Sequence, residues 1–268
     1  MIAASPVHDA ILDAARAEGR KSAALVLAVA AACVVALWFA GFFDAERFAE
    51  GLPALGQLFG EMIPPDFSRW QAWLRPLADT FAMSVAGTAL AVVLSLPLAL
   101  LAARNTAPHP ALYHAARTVL SFLRSVPELI MGIVFVAAVG FGALPGVLAL
   151  ALHSVGMVGK FYAEAIEHAE EKPLEAARAA GATRAQVVTH AVLPQVVPQL
   201  ADITIYRWEY HFRASTVLGI VGAGGIGFEL IAALRLIKYD QVSAILLTIL
   251  ACVLVVDAIG AWLRSKLK

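Results

Sequence analysis

Charge is scarce in this chain of 268 residues: charged residues make up 15% of it, and 20 Lys and Arg balance 20 Asp and Glu. A neutral balance gives no reason to expect a nucleic-acid partner. Cysteine is also scarce, and Cys33 and Cys252 both lie in apolar runs. Two small buried hydrophobes are therefore favoured over a disulfide or a metal site.

A phosphate-binding loop is missing as well. The pattern G-x-x-x-x-G-K-[ST] occurs nowhere, and the nearest text, GMVGK at residues 156–160, has the wrong spacing and lies at the end of an apolar run. We expect no catalytic residues and no nucleotide site of this type in the chain. Energy from ATP would have to come from another subunit.

Apolar residues are what the chain has in abundance, at 60% of the total. The uncharged run 22–43 would reach about 33 Å as a helix, enough to cross a hydrocarbon core of about 30 Å and too long for a signal peptide. We predict an all-α integral membrane protein with about six transmembrane helices, with a turn at Pro145 and Gly146. The predicted spans are residues 22–43, 80–103, 119–144, 147–162, 195–218 and 242–263.

Basic residues near the ends of the spans predict the orientation. They flank both termini, at Arg16, Arg20, Lys21, Arg264, Lys266 and Lys268. Both termini are therefore expected in the cytoplasm, which requires an even number of spans and explains why the charged stretch 195–218 is counted among them. The predicted divisions are a cytoplasmic N-terminal segment (1–21), a first transmembrane helix (22–43), an external interfacial segment (44–75) and a transmembrane core (76–268) with a cytoplasmic loop at 163–195.

The segment 44–75 is amphipathic and rich in aromatic residues. A helix lying at the membrane surface is the favoured interpretation, because aromatic residues are common at bilayer edges. A binding surface for an external partner is the alternative.

A polar, helix-forming stretch, EAARAAGATRAQVVTHAVLP at residues 175–194, interrupts the apolar sequence. Pro173 suits a first helical turn, and Gly181 is expected to end that helix. Thr183 can cap a second helix over 184–192, which should stop before Pro194 because the residue before a proline disfavours the helical conformation.

This stretch resembles the EAA loop of ABC-importer permeases. The matching residues are Glu175, Ala176, Ala177, Gly181, Leu193 and Pro194, and Ala191 stands where the pattern prefers Ile. The resemblance implies that the loop docks into a groove of a separate ATPase subunit. Small alanine side chains would allow a close approach, and Glu175 and Arg178 could make charged contacts at the rim.

The C-terminal half resembles more narrowly the permease of phosphonate importers (PhnE-like). The resemblance is carried by LPQVVPQ at 193–199, YRWE at 206–209 and RASTVLGIVGAGGIGFEL at 213–230. It implies the type I ABC-importer (MetI-like) permease fold in the cell inner membrane, paired as a homodimer. It also implies two ATPase subunits that bind ATP and Mg, an external solute-binding protein, and phosphonates, phosphite or phosphate as cargo. The chain itself would be a transport subunit without a cofactor.

Gly222, Gly224, Gly225 and Gly227 satisfy G-x-G-x-x-G, the dinucleotide-binding pattern. A membrane oxidoreductase is thus a rival hypothesis, but the stretch before the last span is too short for a soluble βαβ unit. Close-packed backbone at the outer end of the fifth span is the favoured role.

Charged residues within spans are expected to face the bundle interior, a partner or water. The candidate pathway residues are Arg124, Glu128, Arg207, Glu209, His211 and Arg213.

Spacing along a helix separates these candidates. Arg124 with Glu128 and Glu209 with Arg213 are four residues apart and are predicted to pair. Arg207 has no local carboxylate, although Asp202 could approach it across the bundle. We therefore predict that Arg207 lines the pathway and attracts an anion.

Further alternatives remain open: a permease of the same class for methionine or another small solute, and an efflux or ion-coupled carrier that needs no ATPase. Only substrate tests distinguish the first alternative from a phosphonate permease. The second is distinguished by whether an ATPase co-purifies with the chain.

Overall fold

The computed structural model describes residues 6–267, with side chains from residue 15 onward, and within that range the chain is helical without any strand. A π-helical turn, Val188–Val192, precedes α9, and a 3-10 turn, Gly219–Val221, follows it. The helices are α1 (Pro6–Phe39), α2 (Ala45–Glu61), α3 (Trp70–Ala102), α4 (Pro110–Ser125), α5 (Glu128–Val139), α6 (Ala143–Glu167), α7 (Glu171–Ala179), α8 (Arg184–Val187), α9 (Leu193–Leu218), α10 (Ile226–Arg235) and α11 (Tyr239–Leu267).

The chain divides after Gly60 into two units. The first unit contains α1, which is long and apolar, and all but the last residue of α2. Exposed Phe48, Leu52, Leu55 and Phe59 follow one another at helical spacing on α2. This single apolar face is typical of a helix that lies at a membrane surface.

Helices of sufficient length and apolar character bear out the prediction of an all-helical membrane protein. In the part of the chain that is described, four helices could cross a bilayer, and the count rises to six if each of two bent pairs is one span. The bent pairs are α4 with α5 and the stretch Arg184–Val221 with α10. The predicted number of about six agrees with the upper value.

The predicted third span, 119–144, is not one continuous helix but is bent in its middle. α4 ends at Ser125, α5 begins at Glu128, and the two helices meet at an angle of 84°. Val126 adopts an extended conformation (φ −88°, ψ 120°) because Pro127 follows it and disfavours the helical region there. Pro127 also lacks the N–H that a continuous helix would need.

The predicted turn at Pro145 and Gly146 is also wrong, because both residues lie in the first turn of α6. A proline costs no hydrogen bond in a first turn, where the backbone N–H has no partner within the helix. The chain turns instead at Gly140 and Gly142, whose φ angles are +90° and +130°.

The second unit, from Glu61 onward, is built around α6, which packs against α3, α4, α5 and α9. α11 packs on the other side of α9 and also against α10. Small side chains allow these close approaches, with Ala91 and Ala99 of α3 and Ala149 of α6 fully buried. The three helices that carry the predicted pathway residues, α4, α5 and α9, therefore all pack against α6.

Asp66 fixes the segment that leads into α3. Its backbone N–H donates to the carbonyl oxygen of Asp240 at 3.0 Å, and its carboxylate accepts from the N–H and hydroxyl of Ser68 and from the side-chain amide of Gln241. These donors, the Ser68 N–H first, lower the pKa of the Asp66 carboxyl. The segment is thereby tied to the start of α11.

The joint between α7 and α8 follows the predicted pattern. Gly181, with φ +82°, lies just beyond the end of α7 in the left-handed region that favours glycine. Thr183 then caps α8: its hydroxyl accepts from the N–H of Gln186 at 3.4 Å, while the Gln186 side chain accepts from the Thr183 N–H at 2.8 Å. This reciprocal pair is a capping box.

The predicted second helix, 184–192, does not stop before Pro194. α8 passes through the π-helical turn directly into α9, and Leu193 and Pro194 form the first turn of α9. Pro194 has no N–H to offer the preceding turn, and the wider turn absorbs this mismatch without ending the helix. Residues 184–218 therefore form one helical rod.

Thr183→Ala should loosen this joint, because it removes the side-chain acceptor at the start of α8. The expected loss is about 1 kcal/mol, or roughly a fivefold rise in amide hydrogen exchange over residues 183–188. Thr183→Ser keeps the hydroxyl and should exchange as the parent does. Equal exchange in the alanine and serine variants would contradict the role of the cap.

Candidate functional site

The predicted docking surface lies on α7 and the joint that follows it. Glu175, Ala176, Arg178 and Gly181 are exposed, and Ala177 is half-buried. Leu174 is 2% exposed and packs into the apolar core together with Val187. The inner side of the segment is thus anchored, while its outer side presents small and charged residues to a neighbour.

Leu193 and Pro194, which end the same sequence motif, lie apart from this surface in the first turn of α9. Leu193 packs against the apolar core and Pro194 is exposed. They join the docking segment to the helical rod.

A cavity of about 410 Å³ lies between this segment and the connection from α3 to α4. Arg184 spans its edge and donates through Nη1 to the carbonyl oxygen of Pro108 at 3.2 Å. The lining residues are Asn105, Thr106, Ala107, Arg178, Ala182, Arg184, Val187, Val188 and Val192.

An ion pair that the sequence reasoning missed braces the same end of the bundle. Glu167, at the end of α6, accepts two hydrogen bonds from Nη2 of Arg117 on α4, at 3.0 and 3.1 Å. The same carboxylate accepts from the backbone N–H of Arg104 at 2.9 Å. Sequence alone gives no signal for this pair, because its members are 50 residues apart.

A buried chain of polar groups links α9, α6 and α3. Nε of Arg207 donates to Oγ of Ser154 at 2.7 Å, and Ser154 contacts Nε2 of His211. Nδ1 of His211 lies 2.7 Å from Oγ1 of Thr88, whose hydroxyl donates to the carbonyl oxygen of Ser84. If His211 is neutral and carries its proton on Nδ1, each group in this chain donates a hydrogen bond to the next one, from Arg207 to the carbonyl oxygen of Ser84.

Arg207 is therefore buried inside the bundle, with only 4% of its surface exposed. Its guanidinium lies over the ring of Tyr210, 4.0 Å from the centroid, and the Tyr210 hydroxyl donates to Glu128 at 2.9 Å. One oxygen of Glu128 and Nη2 of Arg207 have no hydrogen-bond partner among the residues described. Asp202 is exposed on α9 and does not pair with Arg207.

The predicted ion pairs along single helices are wrong. Arg124 and Glu128 are separated by the bend at Pro127 and lie on different helices. Glu209 and Arg213 both reach across to α11: Glu209 pairs with Arg264 and Arg213 pairs with Asp257, each at 2.8 Å. These two cross-helix pairs, the α9–α11 ladder, replace the local pairing.

Gly260 of α11 makes room for the buried member of the ladder. Glu209 is 6% exposed, and a Cβ added at Gly260 would lie 2.7 Å from its carboxyl carbon. A side chain at this position would displace the carboxylate from Arg264. α9 and α11 can approach each other here only because position 260 has no side chain.

The second pair of the ladder, Arg213 with Asp257, differs from the first in its exposure. The side chains of Arg213 and Asp257 are 43% and 44% exposed. A charged side chain at the centre of a bilayer costs about 2.5 kcal/mol or more when it faces lipid. This pair therefore faces water or another protein surface.

The glycine-rich segment 222–227 is packed backbone and not a dinucleotide site. It follows α9 and precedes α10, and the described chain offers no strand beside it. A Cβ added at Gly225 would lie 2.5 Å from Oγ1 of Thr80, and that hydroxyl accepts from the N–H of Ile226 at 2.9 Å. The first N–H of α10 is thus already bonded within the protein and is not free to bind a pyrophosphate.

Comparison with known proteins adds a family and several relatives. Residues 95–268 match the family model described as "Binding-protein-dependent transport system inner membrane component". The phosphite transport system permease protein PtxC of Stutzerimonas stutzeri is 66% identical over 235 residues, which are 88% of this chain and 86% of that protein. The phosphate-import permease protein PhnE of Mycolicibacterium smegmatis is 39% identical over 88% of this chain and 44% of that protein.

Among solved structures, a chain of the inward-facing MetNI methionine ABC transporter matches with a TM-score of 0.67. It covers 76% of this chain and 99% of its own, at 21% sequence identity. At that identity the likeness shows the fold alone, which is the predicted MetI-like arrangement.

Gly260→Ala should destabilise the bundle by about 1–3 kcal/mol, because its methyl group occupies the place of the Glu209 carboxylate. The measurement is the thermal unfolding of the purified, detergent-solubilised protein. Ala258→Val, on the exposed side of α11, is the matched control and should melt close to the parent. Equal melting of both variants would show that the ladder does not need the gap.

Proposed function

The chain belongs to the family of binding-protein-dependent transport system inner membrane components, and from this membership we propose that it is the permease of an ABC importer for phosphite or a related phosphorus oxyanion. The observation that carries the proposal is the 66% identity to a phosphite transport permease over 88% of the chain. Phosphonates and phosphate are the related cargoes, in keeping with the similarity to a phosphate-import permease. The protein is a transport subunit and not an enzyme.

The partners follow from what the chain has and lacks. It carries no P-loop sequence, so ATP and Mg are bound by a separate ATPase subunit. Glu175, Ala176, Arg178 and Gly181 form an exposed surface suited to a groove on that subunit. Two permease copies with two ATPases complete the transporter, and an external binding protein delivers the cargo.

The coupling mechanism rests on the continuity of the helical rod. When ATP draws the two ATPases together, each pulls on the segment around Glu175. The segment is braced by the capping box of α8, and α8 continues through the π-helical turn into α9. Movement at the docking surface therefore tilts α9 as a whole.

The proposed location is the inner membrane, with the docking segment and both termini in the cytoplasm. The excess of basic residues near Arg16 and Arg264 supports this orientation. A methionine permease is the weaker candidate, because the methionine permeases that the chain resembles are only 28% and 21% identical to it.

Uptake by the assembled transporter tests the cargo. Cells that express the chain with its ATPase and binding protein should accumulate radiolabelled phosphite, and unlabelled phosphite should compete better than methionine. Accumulation of methionine without phosphite would overturn the proposal.

Glu175→Lys should reduce the amount of ATPase that co-purifies and abolish phosphite uptake, because it reverses a charge at the rim of the docking surface. Gly181→Pro should act in the same direction, since proline cannot adopt the φ of +82° found there. Glu171→Lys, one turn earlier on the exposed side of α7, is the charge-matched control. Membrane insertion should stay intact in all three variants, and normal uptake by the first two would refute the docking role.

A further inference from the structure

The two arginines of α9 differ in their exposure. Arg207 is 4% exposed, with Nε bound to Ser154 and its plane covered by Tyr210. The Arg213 side chain is 43% exposed. Of the two, only Arg213 can be approached from outside the bundle in this structure.

The exposed face of α9 is polar over much of its length. Gln199, Asp202, Tyr206 and Arg213 lie on it at intervals of three, four and seven residues. Such spacing places them along one side of a helix. A polar stripe on a spanning helix faces water or protein, since lipid would leave its charged members unsolvated.

Arg213 lies deep in the span. Its partner Asp257 is about 27 Å from the first residue of α11 and about 15 Å from the last, at about 1.5 Å per residue. The pair therefore lies within the spanning part of α11, nearer its C-terminal end. A cargo that crosses along this face must pass it.

Arg213 also has unused binding capacity. Its single hydrogen bond to another side chain within the described part of the protein runs from Nη1 to Oδ1 of Asp257, at 2.8 Å. A guanidinium has five N–H groups in a planar fork, and two of them can hold two oxygens of one oxyanion. Among the described residues, the other four donors have no hydrogen-bond acceptor.

We propose that Arg213 is the anion contact of the translocation pathway and that Asp257 is its resident counter-ion, which a passing phosphorus oxyanion displaces. The inference rests on the proposed function, because it takes the cargo to be a phosphorus oxyanion. Asp257 keeps the arginine neutralised while the path is empty. Its negative charge beside the bound anion then shortens the stay of the cargo, which a transport path requires.

The second rung of the ladder supplies a matched control. Glu209 and Arg264 join the same two helices at the same distance of 2.8 Å, but Glu209 is 6% exposed and closed in by Gly260. The carboxylate of this pair, unlike that of Asp257, is closed off from solvent, and its arginine is less exposed than Arg213, at 31%. We expect it to serve the packing of α9 on α11.

The test compares neutralised variants of both pairs in the assembled transporter, with phosphite as the probe. Arg213→Gln should reduce uptake about tenfold or more, since it removes charge-assisted hydrogen bonds to the anion. Asp257→Asn should keep a larger share of uptake, because the guanidinium remains. The double variant should stay as low as Arg213→Gln.

In the control pair, Glu209→Gln and Arg264→Gln should each lower the yield of folded complex, and the double variant should recover it. If Arg213→Gln and Asp257→Asn lose uptake equally and their double variant recovers it in the same way, the exposed pair is a packing contact and the proposal fails.

Cysteine labelling checks accessibility independently of transport. Val217, one turn beyond Arg213 and 47% exposed, is replaced by cysteine in a chain with Cys33→Ala and Cys252→Ala. An anionic thiosulfonate reagent should label it in the assembled complex, and phosphite should slow the labelling. Complete protection, with disulfide formation between two copies through this cysteine, would show that a second copy covers the face and would overturn the proposal.

The two readouts also separate this proposal from the function on which it rests. If the parent transporter takes up no phosphite, phosphate or methylphosphonate, the proposed function fails and takes this inference with it. If the parent takes up phosphite and Arg213→Gln does so equally well, only the role of Arg213 fails.

Discussion

Hydrocarbon offers no hydrogen bonds, and that constraint decides where every polar side chain of the bundle lies. Each charged or hydroxyl group within the spans must find its partner in the protein or meet water. One group of polar side chains meets this requirement by hydrogen bonding across three helices: Arg207, Ser154, His211 and Thr88. The same contacts join α9 to α6 and α3, so they pack the core while they satisfy these polar groups, except for Nη2 of Arg207.

The sequence predicts the helices well and their breaks poorly. Long apolar runs indicate spanning helices whatever their neighbours are, since length and hydropathy alone decide whether a helix can cross a bilayer. The bend at Pro127 and the uninterrupted passage through Pro194 depend on details that the runs do not contain. Both positions are prolines, yet Pro127 interrupts the helix whereas Pro194 lies within a helical turn. The wider π-helical turn before Pro194 accommodates its missing N–H.

Side-chain partners were predictable only in part. The capping box of Thr183 and Gln186 is local, and four consecutive residues of sequence suffice to predict the cap. Glu209 and Arg213 could have paired along α9, but oppositely charged groups on α11 lie within reach of both. Which partner is nearer depends on how closely two helices approach, and that distance is set by Gly260, far away in the sequence. The exposure of Arg213 and the burial of Arg207 likewise follow from packing.

The order of charges in the α9–α11 ladder has a consequence for how the protein is assembled in the membrane. Along α9 a negative charge at Glu209 is followed by a positive one at Arg213, and α11 presents Arg264 and Asp257 in the complementary order. If α11 docked one rung out of place, Glu209 would face Asp257 or Arg213 would face Arg264, and like charges repel strongly where water is scarce. Apolar surfaces alone would tolerate such a slip. The alternating signs thus encode the vertical alignment of the last helix as it leaves the insertion machinery.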